Sequence, residues 1–413
     1  MAKKKELTPE EKLQQALVPK EEQPYPLPEG WKWVRLIDSF ENCTDSKRKI
    51  AKEDYLEKGD IAIIDQGKAL VGGYTDITEK KYKGTLPVII FGDHTRCIKY
   101  IDFPFAQGAD GIKVLKPKKF FLPKAFYFVF QNIPIPDMGY RRHFPLLKQY
   151  MIPVPPIGEQ QRIIEKIEKW FYKLDIVQEK IKDVIASSEK RKAAILHKAF
   201  TGELTAKWRR ENNISDESWI YKAINSICKF QYGTSKKSQK EGKMIVLRMG
   251  NLQNGEIDWT NLAYTSDEAD IKKYLLKQGD VLFNRTNSPE LVGKTAIYRG
   301  EYPAIYAGYL IKLEYNSEIL GEYLNYVLNS PDAREYCYFV KSDGVSQSNI
   351  NAQKIGEFII PIPSIKEQEV IIREIHKIFT MESQIKRISE ELIFRIDVMK
   401  KAILSKAFHG EYK

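Results

Sequence analysis

One segment of the sequence occurs twice, and this repeat limits the possible folds more than any other feature. The first copy begins with Ile152-Pro-Val-Pro-Pro-Ile-Gly-Glu-Gln160, and the second begins with Ile360-Pro-Ile-Pro-Ser-Ile-Lys-Glu-Gln368. Both copies end alike, in Lys198-Ala-Phe200 and Lys406-Ala-Phe408, and the offset is 208 residues at both ends. A repeat of constant length indicates two copies of one structural unit.

Within each copy, apolar residues recur in alternating steps of four and three, and eight of ten positions in each set are apolar. Such a pattern over several heptads is typical of a coiled-coil seam. We therefore predict two helices of about 40 residues, or about 60 Å, that pair with each other. The alternative is two core helices of one globular domain. The predicted seams are Ile163, Ile167, Trp170, Leu174, Val177, Ile181, Val184, Ser188, Arg191 and Ile195, and Ile371, Ile375, Ile378, Glu382, Ile385, Ser389, Leu392, Ile396, Met399 and Ile403.

Start and stop signals agree with these helices. Paired prolines precede each seam and exclude helix there, and Ser364 with Glu367 has the spacing of a capping box. Gly202 and Gly410 suit the residue that follows a helix. Near the N-terminus, Thr8-Pro9-Glu10-Glu11 has the same box with proline at the first helical position, which predicts a short helix.

The stretches outside the repeat predict two mixed α/β modules, because short apolar runs alternate with Gly, Pro and Asn turns. Each module opens near a tryptophan (Trp31, Trp219) and contains a Gly-Asp turn before a strand (Gly59, Gly279). The expected fold is mixed α/β, with two α/β domains separated by two long antiparallel coiled-coil helices in a pseudo-two-fold repeat. The predicted division is an N-terminal arm (1–27), a first domain (28–158), a first spacer helix (159–202), a linker (203–218), a second domain (219–366) and a second spacer helix (367–413).

Motifs for bond-breaking chemistry are absent from the sequence or incomplete. Gly293-Lys294-Thr295 resembles the end of an ATP-binding loop, but Ser288 stands where that loop needs its first glycine. Asp93 beside His94 is interpreted as structural, and no carboxylate–histidine metal spacing occurs. The sequence therefore predicts a polypeptide without catalytic or metal-binding residues.

Charge and cysteine content indicate a partner and a compartment. The formal net charge of +11 fits a polyanionic partner. Four widely spaced cysteines argue against a disulfide framework or a zinc site, and no signal peptide or membrane span is expected, so we predict the reducing cytoplasm. The basic tract Lys207-Trp-Arg-Arg210 is interpreted as a solvated linker rather than a phosphate contact.

Loops of both modules combine cationic, amide and hydroxyl side chains with aromatic rings. Arginine pairs with guanine, and asparagine or glutamine with adenine, when base edges are read, whereas lysine and hydroxyl side chains mainly contact phosphates. We therefore predict double-stranded DNA as the ligand of both modules, with ordinary surface polarity as the alternative for each single residue. The candidates are Gln66, Lys68, Tyr74, Thr75, His94, Arg96, Tyr140, Arg141, Arg142, Lys236, Asn284, Arg285, Asn287, Lys294, Ser346, Gln347 and Asn349.

The two divergent modules are each followed by a Pro-x-Pro-x-x-x-Glu-Gln segment and a long helix that ends in Lys-Ala-Phe-x-Gly-Glu. In this the chain resembles the specificity subunits of type I restriction–modification systems, over nearly its whole length. The resemblance implies that each module reads one half of a split, asymmetric DNA site. It also implies that two modification (methyltransferase) subunits, and in some complexes restriction/translocase subunits, assemble with the chain.

The same resemblance implies that S-adenosylmethionine, ATP and Mg belong to the partner subunits, and that this chain binds no cofactor itself. It further implies that Glu159, Gln160, Glu367 and Gln368 open helices that serve as scaffold and partner surface. Two other functions stay open at this point. A stand-alone DNA-binding regulator needs no partner, and a coiled-coil scaffold for proteins does not bind nucleic acid.

Overall fold

Helices and strands alternate in both halves of the chain, as the mixed α/β prediction requires. The structure is a computed structural model that describes residues 8–109, 111–345 and 347–411. Its α-helices are α1 (Pro9–Ala16), α2 (Pro123–Gln131), α3 (Ile157–Ala186), α4 (Ser188–Phe200), α5 (Ala206–Glu211), α6 (Glu268–Tyr274), α7 (Gly321–Leu328), α8 (Pro331–Val340), α9 (Ala352–Gly356) and α10 (Ile365–Phe408).

The strands are short, and most of them are bounded by turns or by short 3-10 helices. In chain order they are β1 (Lys32–Arg35), β2 (Phe40–Asn42), β3 (Ile61–Ile64), β4 (Gly73–Thr75), β5 (Val88–Gly92), β6 (Ile98–Ile101), β7 (Phe105–Gln107), β8 (Ile112–Pro117), β9 (Met151–Val154), β10 (Ile220–Ala223), β11 (Cys228–Tyr232), β12 (Met244–Leu247), β13 (Leu252–Gln253), β14 (Glu256–Ile257), β15 (Ala263–Thr265), β16 (Val281–Asn284), β17 (Thr286–Asn287), β18 (Thr295–Ile297), β19 (Ala304–Tyr306), β20 (Leu310–Tyr315), β21 (Ser342–Asp343), β22 (Ser348–Asn349) and β23 (Ile359–Ile362).

The chain divides into two units. Unit 1 holds the described residues up to Ile181 and those from Glu391 on, and unit 2 runs from Lys182 to Glu390. The helices α3 and α10 both continue from one unit into the other. Each unit therefore contains one α/β domain and a segment of both long helical stretches.

Both α/β domains have the same strand order. Unit 1 has an antiparallel sheet β2-β8-β5-β6, a sheet β4-β3-β7 and the pair β1-β9, and the counterparts in unit 2 are β11-β20-β16-β18, β15-β12-β19 and β10-β23. The pairs β3·β7 and β12·β19 are both parallel. Unit 2 adds β13-β14 and β17-β22-β21. The duplication thus extends through the domains, and the predicted fold class is confirmed.

The two Gly-Asp turns each precede a strand, as predicted, but they do not mark equivalent positions of the duplication. Trp31 and Trp219 do stand at equivalent places, directly before β1 and β10. However, the Gly59 turn precedes β3, whereas the Gly279 turn precedes β16, whose counterpart in unit 1 is β5. Gly-Asp pairs suit many turns, so the match of these two turns does not mark equivalent positions.

The repeated segment has equivalent bounds in both copies. Helix begins at Ile157 and Ile365 and ends at Phe200 and Phe408, each pair 208 residues apart. The second helix is continuous, but the first is interrupted at Ser187, between α3 and α4. The Ser187 hydroxyl donates to the carbonyl oxygens of Asp183 (2.8 Å) and Val184 (3.1 Å). Such back-bonding often bends helices, and the predicted long first helix spans Ile157 to Phe200 with one turn residue at Ser187.

The N-terminal arm forms its predicted helix, α1. Thr8 Oγ1 accepts a hydrogen bond from the Glu11 N–H (3.2 Å), and Glu11 Oε2 accepts one from the Thr8 N–H (2.8 Å). This is the reciprocal capping box that the spacing indicates. Ala16 of α1 is buried in one apolar cluster with Leu404 and Phe408 of α10, so the arm and the end of the second long helix belong to the same core of unit 1.

The two helical stretches run antiparallel in unit 1. Lys400 of α10 forms an ion pair with Asp175 of α3, and Phe408, further along α10, shares an apolar cluster with Ile163, near the start of α3. The same holds in unit 2, where the late residues of α4 and the early residues of α10 share one cluster: Leu196, Ala199 and Phe200 with Ile371 and Ile375.

The predicted seam is out of phase at alternate positions. Trp170 is 48% exposed, whereas the next residue, Phe171, packs against the core of unit 1. Ile163 and Ile164 are both buried. Seven residues further on, Ile163 leads to Trp170 and Ile164 leads to Phe171. The sequence pattern alone therefore does not decide the phase of the seam. For the same reason, five further residues of the predicted seam are exposed: Val177, Val184, Ile385, Leu392 and Met399.

Candidate nucleic-acid interface

Loops at one edge of the unit 1 domain bring several candidate residues together. Gln66 follows β3, and its Oε1 accepts a hydrogen bond from the backbone N–H of His94 (3.2 Å) in the β5–β6 turn. The His94 ring stacks on Tyr140, with ring centroids 4.8 Å apart. Arg141 and Arg142 follow Tyr140 and are exposed. We name these five residues the first corner.

Buried Asp93 and His143 hold the first corner in place. The Asp93 carboxylate accepts a hydrogen bond from the Phe144 N–H (2.8 Å), and the Asp93 carbonyl oxygen lies 2.9 Å from His143 Nδ1. Because His143 Nε2 accepts from the Met138 N–H (3.2 Å), the proton of a neutral ring lies on Nδ1 and donates to Asp93. These contacts tie the loop that carries Tyr140 to the end of β5, and His143 was not among the predicted residues.

The cations of this edge differ in availability. Arg96 donates to the Asp137 carboxylate (2.5 Å) and to the Ile135 carbonyl oxygen (3.2 Å). The hydrogen bond from the Gly139 N–H lowers the pKa of Asp137 below its usual value, and the charge of Arg96 lowers it further. Arg96 therefore braces a loop instead of extending toward a ligand. The exposed cations on the loops of this edge are Lys68, Arg141 and Arg142.

The equivalent edge of unit 2 carries different side chains. The backbone N–H of Asp93 donates to the Gly111 carbonyl oxygen (2.6 Å), and that of Arg285 donates to the Tyr309 carbonyl oxygen (3.0 Å). Asp93 and Arg285 directly follow the equivalent strands β5 and β16, and Gly111 and Tyr309 directly precede β8 and β20. Arg285 therefore occupies in unit 2 the backbone position that a buried aspartate occupies in unit 1.

Arg285 lies among aromatic and amide groups. Its guanidinium carbon is 4.9 Å from the centre of the Tyr232 ring, and its NH2 donates to Asn349 Oδ1 (3.1 Å). Asn349 Nδ2 donates to Thr286 Oγ1 (2.8 Å). The Arg285 Nε is buried and finds no acceptor within the described ranges. We name Tyr232, Arg285, Asn287 and Asn349 the second corner. Asn287 is included because it lies in β17, which pairs with β22, the strand that contains Asn349.

Two aromatic residues of this edge were not predicted, Tyr232 and Tyr309. Both are exposed, 40% and 51%, and both contact Arg285, through the ring or the backbone. Each tyrosine adjoins a glycine, Gly233 or Gly308. An aromatic residue in a glycine turn at a strand end is the signal that identifies them, because exposed rings can stack on nucleobases.

Two predicted DNA contacts are wrong because the side chains are buried. Thr75 and Asn284 have almost no exposed surface. The Thr75 hydroxyl accepts from the Ile77 N–H (3.2 Å), and Asn284 Oδ1 lies 3.3 Å from the Thr286 N–H. Both are local side chain–backbone bonds, which hydroxyl and amide residues commonly form at strand ends and turns.

Other candidates lie apart from the corners or are already bound. Lys236 forms an ion pair with Asp267 (2.5 Å), and Lys294 donates to Gln253 Oε1 (2.9 Å). Burial lowers the pKa of Lys294. Tyr74 lies in β4, beside β3. Gln347 is exposed one residue before β22, and Ser346 lies outside the described residues.

The glutamines at the helix starts bind their own units and do not form a partner surface, so this part of the prediction is wrong. Both are fully buried. Each amide donates to two carbonyl oxygens and accepts from one N–H at 2.7–2.9 Å. The groups bound are Phe120 O, Pro155 O and the Leu122 N–H for Gln160, and Glu318 O, Pro363 O and the Leu320 N–H for Gln368.

The glutamates beside them differ between the copies. Glu367 is buried and accepts from Thr205 Oγ1 (2.6 Å), Arg209 NH1 (2.6 Å) and Trp219 Nε1 (3.0 Å), so it is not a partner contact either. Arg209 is thereby buried in α5, and the prediction of a solvated linker is wrong at this residue. Glu159 is half-buried and pairs with an arginine of its own helix.

Both long helices leave large apolar side chains exposed. On α10, Phe379 packs against the core of unit 2, whereas the predicted seam runs through its neighbour Ile378. Large contiguous apolar patches on a protein surface commonly mark interaction sites. In unit 1 the exposed residues are Trp170, Tyr172, Ile176, Val177, Leu392, Phe394, Val398 and Met399, and in unit 2 Val184, Met381, Ile385 and Ile388.

The described residues offer neither a cluster of metal ligands nor a helix that could span a membrane. Among the described residues, no three or more histidine, cysteine or acidic side chains group together as metal ligands. Within the same three ranges, no helix combines the length and apolar composition that a bilayer span needs.

Fold and site define a duplicated protein in which each of two α/β domains presents a polar, partly aromatic edge. A family model for the type I restriction modification DNA specificity domain matches residues 28–187 and 216–392. These two matches cover most of the chain, one in each half. The chain belongs to this family.

Individual relatives agree with this assignment. The type I restriction enzyme EcoKI specificity subunit from Escherichia coli K12 is 26% identical over 268 residues, which is 63% of this chain and 57% of the relative. The chain thus spans little more than half the length of that relative. A solved chain from work on complex assembly and conformational transition of the type I R-M system matches with a TM-score of 0.65 and 18% identity, covering 93% of this chain and 99% of that one. The HsdS subunit from Thermoanaerobacter tengcongensis matches with a TM-score of 0.57 and 18% identity, covering 94% and 99%. At 18% identity, these two matches support the fold of this chain only.

Proposed function

We propose that this chain is the sequence-specific DNA-recognition subunit of a type I restriction–modification complex, in which each α/β domain reads one half of a bipartite, asymmetric site. One observation supports this most: the same edge of the same fold carries Gln66, His94 and Tyr140 in unit 1 but Arg285 and Asn349 in unit 2. Two different readers in one chain specify a non-palindromic site.

The side chains at the corners suit DNA. A guanidinium beside a carboxamide, as in Arg285 and Asn349, offers the groups that pair with guanine and adenine edges. Exposed Arg141 and Arg142 suit phosphates, which set the position of the protein on the duplex. Tyr140, 86% exposed, is available for stacking.

The long helices serve assembly in this proposal. Their exposed apolar rows dock two methyltransferase subunits, and restriction/translocase subunits join in a complete complex. Those partners supply S-adenosylmethionine, ATP and Mg, while this chain is non-catalytic and acts in the cytoplasm. The helices hold the half-sites apart by about one turn of DNA, roughly 34 Å.

Methylome mapping tests this function. The chain is expressed with the methyltransferase subunit encoded beside it, and methylated sites are mapped. We expect one bipartite motif, which requires both proteins. Substituting Arg285→Ala should relax one half of the motif, and Arg141→Ala with Arg142→Ala should weaken use of the motif through the other half. Methylation or cleavage by the chain alone would contradict the proposal, and tight site-specific binding without a partner would favour a regulator.

A further inference from the structure

Two buried carboxylates of α10 face the antiparallel helical segment of unit 2. Glu382 is 7% exposed, and Arg191 Nε and NH2 donate to its two oxygens at 2.7 and 2.8 Å. The Ser188 hydroxyl donates to the same carboxylate (3.1 Å). Glu367 is 1% exposed and is bound in the same way, by a hydroxyl and an arginine: Thr205 and Arg209, both at 2.6 Å.

The other copy of the repeat lacks this arrangement. The residue 208 positions before Glu382 is Leu174, and those 208 positions after Ser188 and Arg191 are Ile396 and Met399. Ser188, Arg191 and Glu382 were three of the four polar exceptions in the predicted seams. The structure brings these three into contact as a single polar layer, whereas the equivalent positions in unit 1 are apolar.

We propose that Glu367 and Glu382 are register pins, which fix the alignment of α10 against residues 188–209. Apolar heptads tolerate a slide of seven residues, because apolar positions again face apolar positions. The same slide separates both carboxylates from their arginines and leaves buried charges unpaired, which is strongly unfavourable. A polar residue in a coiled-coil seam is known to specify register at a cost in stability.

The consequence for DNA rests on the proposed function. A slide of seven residues moves a helix by about 10 Å, which corresponds to about three base pairs of duplex at 3.4 Å each. The register pins therefore determine the length of the spacer between half-sites, although they touch no DNA. This makes Glu367 and Glu382 specificity-determining residues for spacing and not for base choice.

Photo-crosslinking in the full-length chain tests the alignment without DNA. Lys192 Nζ lies 5.8 Å from the centre of the Phe379 ring, so a benzoylphenylalanine at position 192 should crosslink near Phe379, as mapped by mass spectrometry. All variants carry E367Q/R209M, which removes the Glu367 pin. Alone, E367Q/R209M should keep the single native site, because Glu382 still holds the alignment. The double variant R191M/E382L then installs the residues of the other copy. We expect it to stay folded and to crosslink additionally about seven residues away along α10.

The charge-reversed pair R191E/E382R serves as the rescue. It should restore one crosslink site, whereas each single reversal should spread or lose it. A folded R191M/E382L chain with a single native site would overturn the proposal. If that variant does not fold, native crosslinking in either single reversal would overturn it instead. As a matched control, D175L/K400M removes the exposed ion pair of unit 1 and should leave the crosslink unchanged.

Methylome mapping adds the functional readout. With R191M/E382L, sites whose spacer differs by about three base pairs should become methylated while both half-site sequences stay the same. An unchanged spacer in a chain whose crosslinks have spread would contradict the role in spacing. If the unmodified chain directs no methylation, the proposed function fails, but the crosslink result still decides whether the pins set the register.

Discussion

The first corner and the second corner differ in composition although the domains that carry them share one strand order. Behind the first corner, buried Asp93 and His143 tie down a loop. In the second, Arg285 takes the backbone position of Asp93 and its guanidinium reaches Asn349 and Tyr232. The comparison teaches that one frame can present unrelated recognition groups, because the frame is stabilised elsewhere.

Gln160 and Gln368 make equivalent contacts in the two units, whereas the length of one segment differs. Ile112 and Leu310 start equivalent strands, as do Met151 and Ile359, so the stretch between them is ten residues longer in unit 2. This longer stretch contains α8, β21 and β22, and β22 supplies Asn349. The second corner is therefore built partly from a stretch that is longer in unit 2 and contains different elements.

The largest expected effect concerns the shared frame. Gln160→Leu and Gln368→Leu each remove three hydrogen bonds and leave three buried or partly buried backbone groups unpaired, at about 1–3 kcal/mol per buried group. We expect each substitution to destabilise its own domain by about 3 kcal/mol or more. Hydrogen exchange, resolved by domain, measures both effects separately.

The exposed neighbour Gln161 provides the control for this experiment. Gln161→Leu removes only a contact with Glu165 of the same helix and should change stability by less than about 0.5 kcal/mol. If Gln160→Leu and Gln368→Leu differ several-fold in the stability that they remove, the two domains are not held by energetically equivalent contacts. The two units would then not share one frame.

The next effect concerns the difference between the corners. Arg285→Ala should cost about 1–3 kcal/mol of discrimination at one position of one half-site. Arg141→Ala and Arg142→Ala should weaken binding for all sequences of the other half-site and lower its salt dependence. Binding of the assembled complex to single-base variants at several salt concentrations separates the two outcomes. Loss at both half-sites from Arg285→Ala would contradict independent readers.

Local sequence signals predicted the helical parts of this fold well. The repeat gave equivalent helix bounds in both copies, and the capping box gave the start of α1, because both depend on residues close in sequence. The phase of the seam could not be read in the same way. Ile163 and Ile164 are both apolar, and only the packing of the α/β domain decides which of them continues the seam.

The candidate site was predictable as a set of loops but not residue by residue. Polar residues near strand ends, such as Thr75 and Asn284, look like surface groups in the sequence, and only the tertiary structure shows that they are buried. Glu367 was predicted at a partner surface, yet residues more than a hundred positions away bury it. Such long-range partners carry no local signal.

A smaller effect should distinguish the brace of the first corner. His143→Ala removes the contacts with Asp93 and Met138, which we expect to cost about 1–2 kcal/mol. Faster hydrogen exchange should be confined to the loop around Tyr140. Recognition should weaken at one half-site only, since the second corner has no equivalent histidine. Unchanged exchange around Tyr140 would show that the loop is held by other contacts.

The smallest expected effect is the pH dependence that the Glu382 carboxylate adds to unit 2. The hydrogen bond from Arg191 holds the pKa of Glu382 below its ordinary value of 4.5. The folded state therefore favours the ionised carboxylate, and this contribution is present above pH 4.5 and lost as the pH falls through the lower folded-state pKa. Because the arginine side chain is partly exposed, we expect on the order of 1 kcal/mol at most.

Glu382→Gln should thus destabilise unit 2 at neutral pH, and the difference from the unmodified chain should shrink below pH 4.5. The equivalent residue in unit 1 is Leu174, so Leu174→Met provides the matched control and should leave the acid dependence unchanged. A stability difference for Glu382→Gln that persists at low pH would show that packing, and not the charge of the pin, stabilises this layer.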